Sequence, residues 1–241
     1  LRHDGDRDAI VFVGENGVRR TLSFDALRAQ VEAVATGLRK AGVEKGDRVG
    51  GFLPNCPEAV IAMLATTSMG AIWSSCSPDF GVNGVVDRFG QIEPKVLFAV
   101  NGYYYNGKTC DTRPTIESVA ARIDSIERVV LIPFAADIDT RVAVPEATDW
   151  DTFASSRDAL VFTPVDFRHP LYIMYSSGTT GAPKCIVHGH GGTLLQHLKE
   201  HVLHTDIGPD DRLFYFTTCG WMMWNWLVSG LASGATLVLY D

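Results

Sequence analysis

Hydrophobic residues near the start of the chain recur at helical spacing and then give way to a short apolar run. After Ser23, the apolar positions lie three or four residues apart, as on a helix with one buried face. Ser23 is a good N-cap residue, and Gly42 suits the position just after a helix. Residues 49–53 then read as a buried strand. The pattern predicts a helix followed by a strand.

The same alternation continues along the chain. It predicts helices over residues 57–69, 82–91 and 115–123, and strands over residues 71–75, 95–100 and 129–132. Asn101-Gly102 and Asn106-Gly107 bracket three tyrosines and favour a turn or hairpin. Helices and strands that alternate with short connections predict an α/β fold with parallel-rich sheets flanked by helices.

A stretch with little periodicity interrupts this pattern at residues 135–170 and carries several prolines. We expect a connecting region there, between a first α/β subdomain (1–134) and the start of a second (171–241). The second begins with the apolar run 171–174, whose carboxyl end is a place where open α/β sheets bind ligands.

Residues 213–240 contain no charged side chain and are long enough to span a bilayer. Gly220, Asn225, Gly230 and Ser233-Gly234 divide this stretch into strand, helix and strand. It therefore predicts a buried βαβ unit and no membrane span.

Composition narrows the class of protein. The chain has 241 residues, of which 46% are hydrophobic, and 21 basic against 28 acidic residues give a net charge of −7. This excess of acid argues against a nucleic-acid or anionic-membrane partner. Five widely spaced cysteines without a Cys-x-x-Cys pair are typical of reduced thiols, so we expect a soluble cytoplasmic protein with small-molecule substrates.

The most informative segment is the loop Tyr175-Ser-Ser-Gly-Thr-Thr-Gly-Ala-Pro-Lys184. Glycines let backbone N–H groups face an anion, hydroxyls add donors, and lysine adds a mobile positive charge. In isolation such a stretch could be a flexible linker, but the apolar runs 171–174 and 185–188 on either side predict a loop gripped by two strands. Lys184 follows Pro183, so the loop is not a Walker P-loop, and we expect a different phosphate-binding site.

Over these ten residues the chain resembles the signature loop of the acyl-adenylate-forming superfamily. Two further segments, Val187-His-Gly-His-Gly-Gly192 and Thr217-Thr-Cys-Gly-Trp-Met-Met-Trp-Asn225, are similar to the acetoacetyl-CoA synthetase family within it, and residues 101–108 are consistent with that family. The resemblance implies the large N-terminal domain of the adenylate-forming fold. It also implies an AMP-forming ligase that uses ATP, Mg²⁺ and CoA to activate a small carboxylate, with acetoacetate as the expected acid.

The resemblance also assigns the site residues. The ATP phosphates would be bound by Ser176, Ser177, Gly178, Thr179, Thr180, Gly181 and Lys184. Lys184 and Thr180 would be the catalytic residues, and Trp221, Met222 and Met223 would line the acyl pocket. Independently of the resemblance, most aromatic clusters belong to the core, and we expect Trp224 and Trp226 to lie there. No protein ligand to a metal is assigned, because phosphates and water would hold Mg²⁺.

Members of the superfamily continue with an aromatic-Gly-x-Thr-Glu motif, a ribose-binding aspartate and a C-terminal domain with a catalytic lysine. None of these occurs before Asp241, so we expect a piece of a longer synthetase that is inactive by itself. Two alternatives stay open: an adenylating enzyme with an acceptor other than CoA, and a noncatalytic nucleotide-binding fragment.

Several histidines compete for a functional role. His197-Leu-Lys-Glu-His201 fits an inverted zinc-protease pattern, and His204 lies one turn further along. The pattern has only three fixed residues and no further carboxylate ligand, so it favours a packed or solvated helix face over a zinc site. His188 and His190 could line the nucleotide or acyl site or serve a structural role.

Overall fold

A computed structural model describes residues 4–144, 146–176 and 181–241. The strands within these ranges are β1 (Asp8–Val13), β2 (Arg19–Ser23), β3 (Arg48–Phe52), β4 (Ile72–Cys76), β5 (Val96–Val100), β6 (Gly102–Tyr105), β7 (Lys108–Asp111), β8 (Arg128–Ile132), β9 (Ala147–Asp149), β10 (Pro170–Tyr175), β11 (Cys185–Gly189), β12 (Arg212–Phe214) and β13 (Thr236–Tyr240). The helices are α1 (Phe24–Lys40), α2 (Pro57–Ser68), α3 (Val82–Ile92), α4 (Arg113–Ala120), α5 (Trp150–Phe153), α6 (His190–Leu198) and α7 (Met222–Ser229), with a π-helix at Lys199–His204 and a 3₁₀-helix at Gly230–Ser233.

The larger sheet has seven strands in the order β11-β10-β4-β3-β5-β8-β9. All neighbouring pairs are parallel except β10 and β11, which form an antiparallel hairpin. Successive side chains of a strand point to opposite faces, and β5 shows this directly. Val96, Phe98 and Val100 enter one hydrophobic cluster, whereas Leu97 and Ala99 enter another.

Helices cover both faces of this sheet. Buried residues of α1, α2 and α7 belong to the cluster on one face, and those of α3 and α4 belong to the cluster on the other. Both faces of the sheet are therefore shielded from water, which explains why β4 and β5 are buried at every position. The prediction of an α/β fold with parallel-rich sheets flanked by helices is confirmed.

A second sheet has four strands in the order β12-β13-β1-β2. β13 pairs in parallel with both β1 and β12, so residues from opposite ends of the chain share one sheet. Similarly, β10 joins the larger sheet beside β4. The division into 1–134, 135–170 and 171–241 stays a prediction, and strands from both outer segments contribute to both sheets.

Most predicted elements are present, with small shifts at their ends. The Ser23 hydroxyl accepts a hydrogen bond from the Ala26 N–H and caps α1 as expected. Asn106 and Gly107 have φ of 51° and 72°, the pair of positive values that a tight hairpin turn between β6 and β7 requires. Residues 212–240 form the predicted strand, helix and strand.

Two predictions differ from the structure in detail. Helix α4 begins at Arg113, two residues before the predicted start, because Pro114 is tolerated in the first turn of a helix. The region predicted as a connection contains β9, which extends the larger sheet beside β8, and the single turn α5, capped by the Asp149 carboxylate. Among the described helices, none has both the length and the apolar character needed to cross a membrane.

Candidate active site

The base of the predicted phosphate loop is closed by backbone and side-chain hydrogen bonds between its two ends. The Ser176 N–H donates to the Lys184 carbonyl at 2.9 Å, and the Lys184 N–H donates to the Ser176 hydroxyl at 3.0 Å. These bonds extend the β10–β11 hairpin by one more pair. The loop is therefore held between two strands, as predicted, and is not a free linker at its base.

Only part of this loop can be described. Ser177, Gly178, Thr179 and Thr180 lie outside the described residues. Gly181 has a φ of +148°, a value that L side chains rarely adopt, and nothing lies within 4 Å of the position a Cβ would take. Lys184 is exposed and forms no ion pair with any described residue. An exposed cation that lies three residues after an open glycine, with no ionic partner among the described residues, suits an anionic ligand.

The loop lies at the carboxyl edge of the larger sheet. Tyr172 pairs with Trp73 of β4, so Tyr175 at the end of β10 is level with Cys76 at the end of β4. The Tyr175 hydroxyl lies 3.0 Å from the Ser74 hydroxyl, which donates to the Ile173 carbonyl. Burial raises the pKa of Tyr175 well above its usual value, so the phenol stays protonated.

The segment that carries Trp221 lies at the same edge. The Ser75 hydroxyl donates to the Cys219 carbonyl at 2.7 Å, and the Cys219 thiol donates to the Pro54 carbonyl at 3.1 Å. A Cβ on Gly220 would lie 3.6 Å from the Ser77 nitrogen, just beyond the end of β4. The structure therefore brings the two predicted halves of the site, the phosphate loop and the aromatic segment, to the ends of two adjacent strands.

The aromatic and methionine cluster divides into exposed and buried members. Trp221 is 64% exposed and Met222 is 44% exposed, and Met223 is half-buried. Trp224 is fully buried, and its indole N–H donates to the Asn55 side-chain oxygen at 2.9 Å. Two of the three residues predicted to line the acyl pocket are therefore exposed and the third is half-buried, whereas Trp224 belongs to the core as expected.

One cation near the site was missed by sequence reasoning. The Arg88 guanidinium on α3 lies 4.6 Å from the Phe80 ring centroid and 5.8 Å from that of Tyr175. One of its terminal nitrogens donates to the Gly84 carbonyl one turn earlier at 2.8 Å. No sequence motif marks this position, because the contact joins α3 to a strand that lies far along the chain.

The two histidines that follow the loop lie away from Lys184. Because β11 runs antiparallel to β10, each residue after Lys184 moves toward the amino end of β10, and His188 sits opposite Tyr172 with ring centroids 5.0 Å apart. His190 packs against His169 at 5.6 Å, and burial lowers the pKa of His190. These positions favour the structural role for both residues.

The residues of the zinc-protease pattern, His197 to His201, span the end of α6 and the start of the π-helix. His197 Nδ1 and His201 Nε2 both lie 2.9 Å from the Ser229 hydroxyl of α7. The Glu200 carboxylate accepts from the Trp226 indole at 2.9 Å. Burial lowers the pKa of both histidines, and within the described ranges no group of three histidine, cysteine or acidic side chains could hold a metal ion. The packed interpretation agrees with this geometry.

Comparisons with known proteins identify the family of the chain. The family model described as AMP-binding enzyme matches residues 1–241. The acetoacetyl-coenzyme A synthetase of Rhizobium meliloti (strain 1021) is 52% identical over 100% of this chain, and the acetoacetyl-CoA synthetase of Rattus norvegicus is 51% identical over 100% of it. The malonamoyl-CoA synthetase of Penicillium aethiopicum is 46% identical over 97% of the chain.

A solved structure, the acetoacetyl-CoA synthetase from Streptomyces lividans, superposes with a TM-score of 0.93 at 47% identity, covering 98% of this chain and 36% of that one. The chain spans 37% of the length of the Rhizobium and rat relatives. These matches confirm the resemblance found in the loop and the aromatic segment. The chain belongs to the family of AMP-binding enzymes.

Proposed function

We propose that this chain is part of an ATP-dependent ligase that joins a small carboxylic acid to CoA through an acyl adenylate. The observation that carries the proposal is Lys184, an exposed cation without an ionic partner among the described residues, fixed at the carboxyl edge of the sheet through Ser176. The family match and the names of the relatives support the same chemistry.

In the first half-reaction, a carboxylate oxygen of the acid attacks the α-phosphorus of ATP and pyrophosphate leaves. Negative charge gathers on phosphate oxygens, and fixed donors and cations aimed at that charge lower the barrier. Lys184 would supply the cation, and the loop residues Ser176 to Gly181, including Thr179 and Thr180, would supply hydroxyl and N–H donors. Mg²⁺, when bound, would add further neutralising charge.

In the second half-reaction, the CoA thiol attacks the carbonyl of the acyl adenylate and AMP leaves. The aromatic segment would hold the acyl group during both steps. Trp221, Met222 and Met223 lie at the strand ends beside the loop, where an acid bound against them can present its carboxylate to the phosphates. Holding both reactants in one place is a large part of what a protein contributes to such a transfer.

We propose acetoacetate as the acid. Acetoacetate and malonamate, the acids implied by the names of the relatives, are both short chains with a carbonyl two bonds from the carboxylate carbon, and they differ only in a methyl or an amino group at the far end. A pocket closed by one large ring suits such a length. The indole N–H of Trp221 can donate to the distal carbonyl, and flexible methionines can form the apolar wall.

We also propose a cytoplasmic location. All five cysteines are free thiols in the structure. Burial raises the pKa of Cys76 to about 12 and raises that of Cys219 well above its usual value, so both thiols stay protonated. Unpaired cysteines of this kind are typical of proteins from reducing compartments.

The test is product analysis with the full-length protein. ATP, Mg²⁺ and acetoacetate should yield acetoacetyl-CoA and AMP only when CoA is added, and mass spectrometry identifies both products. AMP release that continues at the same rate without CoA would favour an acceptor other than CoA. No AMP under any condition, from a folded protein, would contradict the proposed reaction.

A further inference from the structure

Gln91, in the last turn of α3, reaches across to the segment around Lys184, just before β11. Its side-chain Nε2 donates to the Pro183 carbonyl at 2.7 Å, and its Oε1 accepts from the Cys185 thiol at 3.6 Å. The two partners are the residues immediately before and after Lys184 in the chain. We propose that Gln91 is a positioning residue for Lys184, which it fixes by holding both of its neighbours.

The side chain of Gln91 is fully used in this arrangement. Its second amide hydrogen bonds the Asp87 carbonyl one turn earlier on the same helix, so the amide plane is fixed from its own side as well. A glutamine amide has two donor hydrogens and one acceptor oxygen, and here all three functions are engaged. The side chain is therefore a rigid strut from α3 to the hairpin, although the residue as a whole is exposed.

The partners of Gln91 are suited to this role. Pro183 is a buried residue without an N–H. Its carbonyl is therefore the only hydrogen-bonding group that it has on the main chain. Burial raises the pKa of the Cys185 thiol, which therefore keeps its proton and can donate at neutral pH. On the other side, Ser176 bonds both the N–H and the carbonyl of Lys184.

Together these contacts fix the backbone of Lys184, and no described residue forms an ion pair with its ammonium group. A lysine has a long flexible stem, so the place of its charge depends on how well its Cα is held. A displacement of about 1 Å in a group that acts on the reacting atoms can cost roughly 100-fold in rate. Removing the strut should therefore lower the rate of adenylation and leave the affinity for the acid unchanged.

The inference rests on the proposed function, and the experiment separates the two. In the full-length protein, acetoacetate-dependent exchange of labelled pyrophosphate into ATP measures the first half-reaction. Gln91→Met keeps the length of the side chain and removes its hydrogen bonds. Gln30→Met is the matched control, because Gln30 is an exposed glutamine on α1, which covers the face of the sheet opposite to α3. Lys184→Ala and the double variant Gln91→Met/Lys184→Ala complete the set.

Gln91→Met should lower kcat/KM for ATP about 5-fold to 50-fold with an unchanged KM for acetoacetate, and Gln30→Met should match the wild type. If Gln91 acts through Lys184, the double variant should be no slower than Lys184→Ala alone. Gln91→Glu, which keeps the acceptor for Cys185 and loses the donors, should fall in the same range as Gln91→Met. It replaces Gln91→Met if the latter folds poorly, as judged by its Tm.

Three results would overturn the inference. Wild-type exchange kinetics in both Gln91 variants, with Lys184→Ala impaired, would leave the proposed function standing and remove the positioning role. Additive losses in the double variant would show that Gln91 acts on something other than Lys184. Full activity in Lys184→Ala would contradict the phosphate role of Lys184 and, with it, the reason for positioning that residue.

Discussion

The two halves of the proposed site sit at the same sheet edge but are built differently. Lys184 lies just before the edge strand β11, whose first three residues are exposed, and Ser176 forms hydrogen bonds with both its N–H and its carbonyl. Trp221 follows a segment anchored to the buried interior through Ser75 and Cys219. We infer from this difference that the phosphate half acts through the position of one positive charge. The acyl half acts through the shape of the surface that contacts the acid.

The largest expected effect is on the phosphate half. Lys184→Ala in the full-length protein should lower kcat/KM for adenylation roughly 10-fold to 1,000-fold, because it removes a cation that acts on the leaving phosphates. Lys45→Ala, which removes an exposed lysine just before the amino end of β3, is the control and should match the wild type. Pyrophosphate exchange measures both, and equal rates for the two variants would show that the loop does not bind phosphates.

A second prediction separates the tryptophans that adjoin one another in sequence. Trp224 is fully buried and bonded to Asn55, so Trp224→Ala should lower the free energy of unfolding by about 3–5 kcal/mol. Trp221 is largely exposed, so Trp221→Ala should change the free energy of unfolding by less than about 1 kcal/mol. Urea denaturation of each variant gives the two values. Similar losses for both would mean that Trp221 belongs to the core and not to the acyl half.

A third prediction concerns the choice of acid. Trp221→Gly in the full-length protein should open the pocket and shift preference from acetoacetate toward butyrate and hexanoate. Apolar pockets discriminate by about 1–3 kcal/mol per methylene, so the shift should be graded. The measurement is kcat/KM for acetate, acetoacetate, butyrate and hexanoate in wild type and variant. An unchanged order of the four acids would place Trp221 away from the acyl group.

The smallest expected effect is on the contact between the π-helix and α7, outside both halves of the site. Burial lowers the pKa of His197 and His201, while Glu200 acts in the opposite direction on both. Because the folded pKa lies below the unfolded value of about 6.5, the folded state binds fewer protons, and stability should fall as pH drops below that value. Thermal melting between pH 8 and pH 5 should show this fall.

His197→Gln and His201→Gln should each weaken the dependence of the melting temperature on pH. His204→Gln changes an exposed histidine in the same segment and should keep the slope of the wild type. An identical slope in all three variants would assign the pH dependence to other groups.

Local patterns predicted much of this molecule, for identifiable reasons. The cap at Ser23, the Asn106-Gly107 turn and the glycines that divide residues 213–240 each act within a few residues, so the sequence shows them directly. The strand β9 was missed because three residues of mixed polarity carry no periodicity, and its place is set by pairing with β8.

The site was predictable only where a motif carries its chemistry. The loop and the aromatic segment were recognised from their residues, and the structure places both at the ends of β10 and β4. Gln91 and Arg88 were not recognised from the sequence, because their contacts join residues about ninety positions apart. These contacts depend on how α3 packs against the sheet. No spacing in the sequence marks such pairs.

The central claim is that the carboxylate of the acid attacks the α-phosphorus of ATP. The most direct test follows one oxygen atom of that carboxylate. Acetoacetate labelled with ¹⁸O in its carboxylate is supplied to the full-length protein with ATP, Mg²⁺ and CoA, and the AMP is analysed by mass spectrometry. If the carboxylate attacks the α-phosphorus, the AMP should carry one ¹⁸O and the pyrophosphate none. Label in inorganic phosphate together with ADP, or AMP without label, would contradict an acyl adenylate formed at this site.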